Sequence, residues 1–337
     1  MKAIGYQTPS SIEQETSLVD ITLEKPVATG KDLLVKVHAV SVNPADTKIR
    51  AMVPPPSDSW GVLGFDASGV VEAVGSETSQ FNVGDEVYYS GSVARPGTNS
   101  EFHLVDERIV GKKPTSLSHP EAAALPLTTL TAWEALFDRL DVNRPTVQGS
   151  KVILIIGGAG GVGSIAIQLL RAMTDMTIIA TASRPETEAW VRELGAHHVI
   201  NHRQPLAPQI EALGLGAPGF VFSTNQTHKH LPDIAELIAP QGRFSVTDEL
   251  EPFESRPFVM KAVSIHFELM FTRALFETAD MDEQGKLLNQ VAALVDAGKI
   301  RTTLTETAGK INAQNLRKVH AQIETGQARG KMVLAGF

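Results

Sequence analysis

A run of glycines constrains this chain more than any other feature. Gly157-Gly158-Ala159-Gly160-Gly161-Val162-Gly163 sets Gly158, Gly160 and Gly163 in a GxGxxG pattern. Alone the pattern is weak, and its flanks give it meaning. Residues 151–156 before it form an apolar run suited to a strand buried on both faces, and residues 162–172 after it carry a helical pattern. Strand, tight turn and helix let the backbone approach a pyrophosphate and offer it unpaired first-turn N–H groups with a partial positive charge. Gly158, Ala159, Gly160, Gly161, Val162 and Gly163 are therefore the candidate phosphate-binding residues.

Beyond the loop, strands and helices alternate. Residues 177–181, 198–200, 220–223 and 243–247 read as strands, and 185–194 and 227–238 as helices. This alternation predicts an α/β unit with a parallel, doubly wound sheet of the Rossmann kind. The second strand bears on the choice of nucleotide. An acid about 20 residues past the loop would bond a ribose 2′-OH, but this chain has Thr181-Ala182-Ser183-Arg184 there. Ser183 can donate to a 2′-phosphate and Arg184 can pair with it bidentately, so NADPH is the expected cofactor. Ser223, Thr224 and Asn225 end a parallel strand, where ligands approach such sheets.

The remainder has another texture. Residues 32–40, 69–74 and 85–89 are β-branched and broken by turns, as in a barrel or sandwich. Near Ser118 a capped helical stretch begins, and 128–140 reads as a further helix. At 337 residues the chain should hold about two domains. We read 1–125 and 265–337 as one β-rich domain, with 126–264 inserted as the dinucleotide domain. A net charge of −8 argues against a nucleic-acid footprint. The absence of cysteine excludes disulfides and thiolate metal sites. With no apolar run at its start and no stretch of the ~20 apolar residues a bilayer requires, the protein is expected in the cytoplasm.

Several stretches in order carry a family resemblance: 37–46, ending Asn43-Pro44-Ala45-Asp46; 63–71, with Phe65-Asp66; 81–87; and 121–132, with Pro126-Leu127-Thr128-Thr129. With these the chain resembles the medium-chain dehydrogenase/reductases, most closely the quinone oxidoreductase branch and the bacterial proteins called zinc-binding alcohol dehydrogenases. The resemblance implies a GroES-like β-barrel domain, an inserted Rossmann domain, an active site in the cleft between them, and a homodimer. It also implies that Asn43 and Thr128 lie near the reacting groups, that His202 packs near the adenosine end, and that Lys331 approaches the 2′-phosphate. Lys48 stands where many quinone oxidoreductases carry a tyrosine, and could polarise a carbonyl or donate a proton. In zinc-dependent members a cysteine takes the place of Asn43 and a His-Glu pair that of Phe65-Asp66. Phenylalanine cannot bind a metal and an amide is a poor zinc ligand, so no zinc is expected.

Without a Lewis acid, oxidation of an unactivated alcohol is hard. A quinone or enone delocalises incoming charge and needs only hydrogen-bond help. The expected activity is therefore hydride transfer from NADPH to a quinone or α,β-unsaturated carbonyl, with Asn43, Lys48 and Thr128 as candidate catalytic residues. Two other readings stay open from sequence: a zinc-type alcohol dehydrogenase, and a non-catalytic NADPH-binding sensor or structural protein. The alternative for Asn43 is a turn residue before Pro44.

Overall fold

In the computed structural model the described residues are 1–57, 59–146 and 150–337. They form two compact units, Met1–Leu130 with Phe271–Phe337, and Thr131–Met270.

The second unit is built on a six-stranded parallel sheet. Taken across the sheet, its strands are His198–Ile200, Thr177–Thr181, Val152–Ile156, Phe220–Ser223, Arg243–Val246 and Ser264–Phe267. Numbered along the chain this is 3-2-1-4-5-6, the doubly wound dinucleotide order. The first three strands and Phe220–Ser223 lie where their apolar runs predict. Every residue of Val152–Ile156 and Phe220–Ser223 is buried, because helices cover both sheet faces. The core gathers Leu154, Ile156, Ile179, Val221 and Phe244 with Leu206 and Ile234 from helices. Each such aliphatic side chain contributes about 1.5–3 kcal/mol by leaving water. The sequence reading missed the sixth strand: Ser264–Phe267 is short, half-exposed and on the sheet edge, but pairs from Arg243↔Ser264 to Val246↔Phe267. The unit therefore runs to Met270, beyond the boundary expected at 264. The helix expected over 128–140 is in two parts, Pro126–Trp133 and a wider π-helical turn at Glu134–Arg139. There Leu140 N–H reaches back five residues to the Ala135 carbonyl, at 2.9 Å.

The first unit is the GroES-like one. A three-stranded sheet (Val19–Thr22, Lys2–Tyr6, Gly61–Val62) accompanies a seven-stranded one organised on the long strand Asp32–Ser41. That strand pairs with Asp66–Val74 along one edge and divides its other edge between two partners. Its first half runs against Phe102–Asp106, from Asp32↔Asp106 to Lys36↔Phe102. Its second half runs against Lys331–Ala335, from Ala39↔Ala335 to Ser41↔Val333. Leu33, Val35, Val37, Val71, Val87 and Leu334 fill the core, following the strand alternation. The helix Pro44–Met52 leaves directly from the end of the long strand.

Candidate functional site

Register explains how distant residues meet in the first unit. Ser41 faces Asp66 on one neighbour and Val333 on the other. Continuing the second pairing two residues sets Lys331 opposite Asn43. Ser41, Asn43, Asp66 and Lys331 thus converge at one end of three adjacent strands. Asp66 is fully buried and is the hub. Its Oδ2 accepts from Ser41 Oγ at 2.7 Å, Asn43 Nδ2 at 2.9 Å and Lys331 Nζ at 3.1 Å. Its Oδ1 accepts from the Leu127 N–H at 2.6 Å, tying the start of the Pro126–Trp133 helix to the cluster. The Lys331 ammonium also donates to Asn43 Oδ1 and, at 3.2 Å, to the Val42 carbonyl. A buried carboxylate with a buried ammonium and this many donors is a satisfied network, and removing one partner leaves the other stranded.

A second carboxylate sets the turn. Asn43 is the N-cap of Pro44–Met52, with Pro44 in the first turn, and Asp46 closes a capping box from three residues on. Asp46 accepts from the Asn43 N–H at 2.8 Å and from the Gly64 N–H at 2.9 Å. Burial lifts its carboxyl to about 7, opposed by those two N–H groups and the Lys331 ammonium. Asp46 braces the turn that carries Asn43.

In the second unit the glycine turn joins Val152–Ile156 to the helix Gly161–Met173. Gly157 has φ +84°, and a side chain there would strike Thr224 Oγ1. At Gly163 a Cβ would run into the Gly157 carbonyl oxygen and Gly158 backbone, so only glycine lets the helix start this close to the strand. The N-cap is Gly160, which has no side chain to satisfy the first-turn N–H groups. Those groups, on a helix of 13 residues, fit the phosphates of a dinucleotide.

The other expected residues fall as follows. Thr128 is buried, its hydroxyl donating to the Leu125 carbonyl at 3.1 Å. Lys48 is exposed on the Pro44–Met52 helix. Lys331 is 4% exposed and spent on the Asn43 cluster, which does not match the free cation expected for a 2′-phosphate. Ser183 and Arg184 follow the Thr177–Thr181 strand, both half-buried, with Arg184 Nε donating to Glu186 at 2.5 Å. His202 Nδ1 lies 3.3 Å from Thr181 Oγ1, which also accepts from Gly157 N–H at 3.0 Å. Burial, then the neighbouring His230, Arg203 and Arg184, hold His202 below the usual histidine range. Ser223 is fully buried against Thr227, at 2.8 Å, and so contributes through its backbone or not at all. Thr224 donates to the Ile156 carbonyl at 2.9 Å, and Asn225 is exposed. Asp46 braces the turn as its place three residues after Asn43 leads one to expect. The hub role of Asp66 escaped the sequence reading, because its signal lies in strand register rather than in any local motif.

A resident zinc does not fit the strand-end cluster. The donors there are one amide and one carboxylate, and Phe65 turns its ring onto Phe271 with centroids 4.7 Å apart. The Asp66 carboxylate already holds an ammonium, whose charge opposes a divalent cation. Among the described residues no group of three or more His, Cys, Asp or Glu could hold a metal ion.

A GroES-like unit together with a 3-2-1-4-5-6 parallel sheet opening on a glycine loop is the architecture of an NAD(P)-binding oxidoreductase. The sequence signature of the alcohol dehydrogenase GroES-like domain matches residues 29–115, and that of the zinc-binding dehydrogenases residues 161–283. The zinc-type alcohol dehydrogenase-like protein of Staphylococcus aureus strain COL is 37% identical over 336 residues, 99% of each chain. A crystal structure from Rhizobium etli carrying a zinc-dependent alcohol dehydrogenase label is 60% identical, covers 100% of this chain and 98% of its own, and superposes with a TM-score of 0.98. The quinone oxidoreductase of Coxiella burnetii is 26% identical over 100% of this chain and 99% of its own, with a TM-score of 0.81. This chain belongs to the medium-chain dehydrogenase/reductase superfamily of oxidoreductases. No helix among the described residues is long and apolar enough to cross a membrane.

Proposed function

We propose that the protein is a cytoplasmic, zinc-independent reductase that passes hydride from NADPH to a quinone or α,β-unsaturated carbonyl. The observation that carries this reading is the buried Lys331–Asn43–Asp66 set, in which a fixed ammonium and a hydrogen-bonded amide stand among donors unsuited to zinc. The likeness to a quinone oxidoreductase supports the acceptor class.

NADPH, when bound, supplies the hydride. The residues of this chain do the rest. The glycine loop and its helix N-terminus hold the pyrophosphate, and Ser183 and Arg184 take the 2′-phosphate. Asn43 Nδ2 donates one hydrogen bond to Asp66 and directs its second N–H to the acceptor oxygen. When hydride adds to the conjugated carbon, its electron pair would become the new C–H bond and the displaced π pair would move onto that oxygen, where Asn43 steadies the charge. A proton from water would complete the reduction to hydroquinone or saturated ketone, with oxidised cofactor as the other product. Thr128, on the helix anchored to Asp66 through Leu127, orients the reacting groups. Lys48, being exposed, is a subsidiary candidate as proton donor.

The protein works as a homodimer in this reading. The edge strand Ser264–Phe267 offers its free side, with Phe267 and Leu269 exposed, to a second copy. The deciding experiment follows NADPH and NADH oxidation by chelator-treated protein with 1,4-benzoquinone, 9,10-phenanthrenequinone and simple enones. Turnover with NADPH preference is expected. Tight NADPH binding without turnover would favour a sensor, and activity restored only by zinc would favour an alcohol dehydrogenase.

A further inference from the structure

We propose that Lys331 is a positioning residue for this reaction: its ammonium fixes which way round the Asn43 amide sits, so that Asn43 meets the acceptor oxygen with an N–H and not with its carbonyl. The inference rests on the reading of Asn43 as the donor to a conjugated carbonyl.

An amide side chain is nearly symmetric in shape but opposite in chemistry at its two ends. A turn residue on the surface could present either. Here each end meets a group that tolerates only one answer. Lys331 Nζ has protons and no lone pair, so it accepts only Oδ1 as a neighbour. The ionised Asp66 carboxylate has lone pairs and no proton, so at 2.9 Å it accepts only Nδ2. A flipped amide would set a donor against the ammonium and an acceptor against the carboxylate. The second Nδ2 proton is left over, and an ammonium pulling on Oδ1 makes it a stronger donor.

The two charges are not equivalent as controls. Asp66 also binds Ser41 and Leu127, so changing it disturbs the fold around it. Among the described residues the Lys331 ammonium hydrogen-bonds Val42, Asn43 and Asp66. Without Lys331, Oδ1 loses its charged donor and the Asp66 contact alone is left to orient the amide. Loss of Lys331 therefore converts a donor fixed at both ends into one held at one end.

The test is Lys331→Met, with Lys331→Gln as a second variant should the first fold poorly, each also made in an Asn43→Ala background. The kcat for the best quinone and the KM for NADPH are measured at neutral pH. We expect Lys331→Met to lose about 100-fold in kcat, with KM for NADPH unchanged. In the Asn43→Ala background the same substitution should cost nothing further. In protein with ¹⁵N-labelled asparagine, the Asn43 side-chain amide should give a resolved, exchange-protected proton pair in the parent that collapses in the variant. A kcat within twofold of the parent, losses that multiply with Asn43→Ala, or a raised KM for NADPH alone would overturn the proposal, as would an unchanged Asn43 amide signal. If the parent reduces no acceptor, the reaction assigned above fails while the amide measurement still decides the role of Lys331.

Discussion

The two units build their chemistry from different materials. In the parallel-sheet unit the candidate site is backbone: seven consecutive residues, 157–163, five of them glycines whose value lies in lacking side chains. In the GroES-like unit it is side chains: Ser41, Asn43, Asp46, Asp66 and Lys331 arrive from separate stretches and bond one another in a buried cluster. A backbone site is specified by local sequence and survives wide change elsewhere. A side-chain site is specified by strand pairing, and each member depends on the rest.

The contrast can be broken at the loop first. Gly163→Val should abolish NADPH binding, measured by fluorescence titration, because the new side chain drives the helix off the strand. The circular dichroism of the GroES-like unit's strands should persist if the two units are independent in this respect. Next in size, Asn43→Ala should lower kcat about 100-fold with little change in KM for NADPH, since one charge-stabilising donor is lost. An equal effect of that change on nucleotide affinity would erase the distinction between the two sites. Arg184→Ala should raise KM for NADPH about tenfold and leave NADH unaffected, the loss of one charge-assisted pair.

How far the chain was legible follows the same division. Gly157 to Gly163, the buried runs 152–156 and 220–223, and the missing acid after Thr181 could be read because each is a local pattern. Asn43 was recognised by resemblance, but Asp66 was seen only as an inadequate metal ligand. Its meaning depends on the pairings Ser41↔Asp66 and Ser41↔Val333, which no single stretch encodes. Lys331 was assigned to the cofactor by resemblance, and a lone lysine in an apolar strand hides the partner it bonds. Strand Ser264–Phe267 was missed for a simpler reason. Four residues on a sheet edge carry too little pattern to separate from a loop.

A smaller effect sharpens the comparison in acid. His320 on the helix Ala313–Glu324 is fully buried in the GroES-like unit, and neither ring nitrogen has a hydrogen-bond partner among the described residues. Burial, and then the Arg50 guanidinium, push it down to about 3 from 6.5. The folded protein thus resists a proton that the unfolded chain accepts. The stability this contributes is complete above 6.5 and is lost as pH falls toward 3, at about 1.4 kcal/mol per pH unit. His320→Leu should flatten that slope in denaturant melts at pH 7, 5.5 and 4.5, and a slope identical to the parent's would assign the acid sensitivity elsewhere. The smallest expected effect is from metal removal. Prolonged dialysis against a chelator should leave turnover and melting temperature unchanged, and a loss reversed by zinc would mean the strand-end cluster is not what holds the site together.

The pairing of the Lys331–Ala335 strand with Asp32–Ser41 also sets a clock. Lys331 lies 288 residues after the asparagine it holds. At ribosomal speeds of roughly 5–20 residues per second, Asn43 and Asp66 wait about 15 to 60 s for their cation. During that interval the dinucleotide-binding sheet has been made in full, while Asp66 has no ammonium to bury beside. Synthesis in chain order therefore completes the strands of the parallel sheet before the strand-end cluster receives its cation.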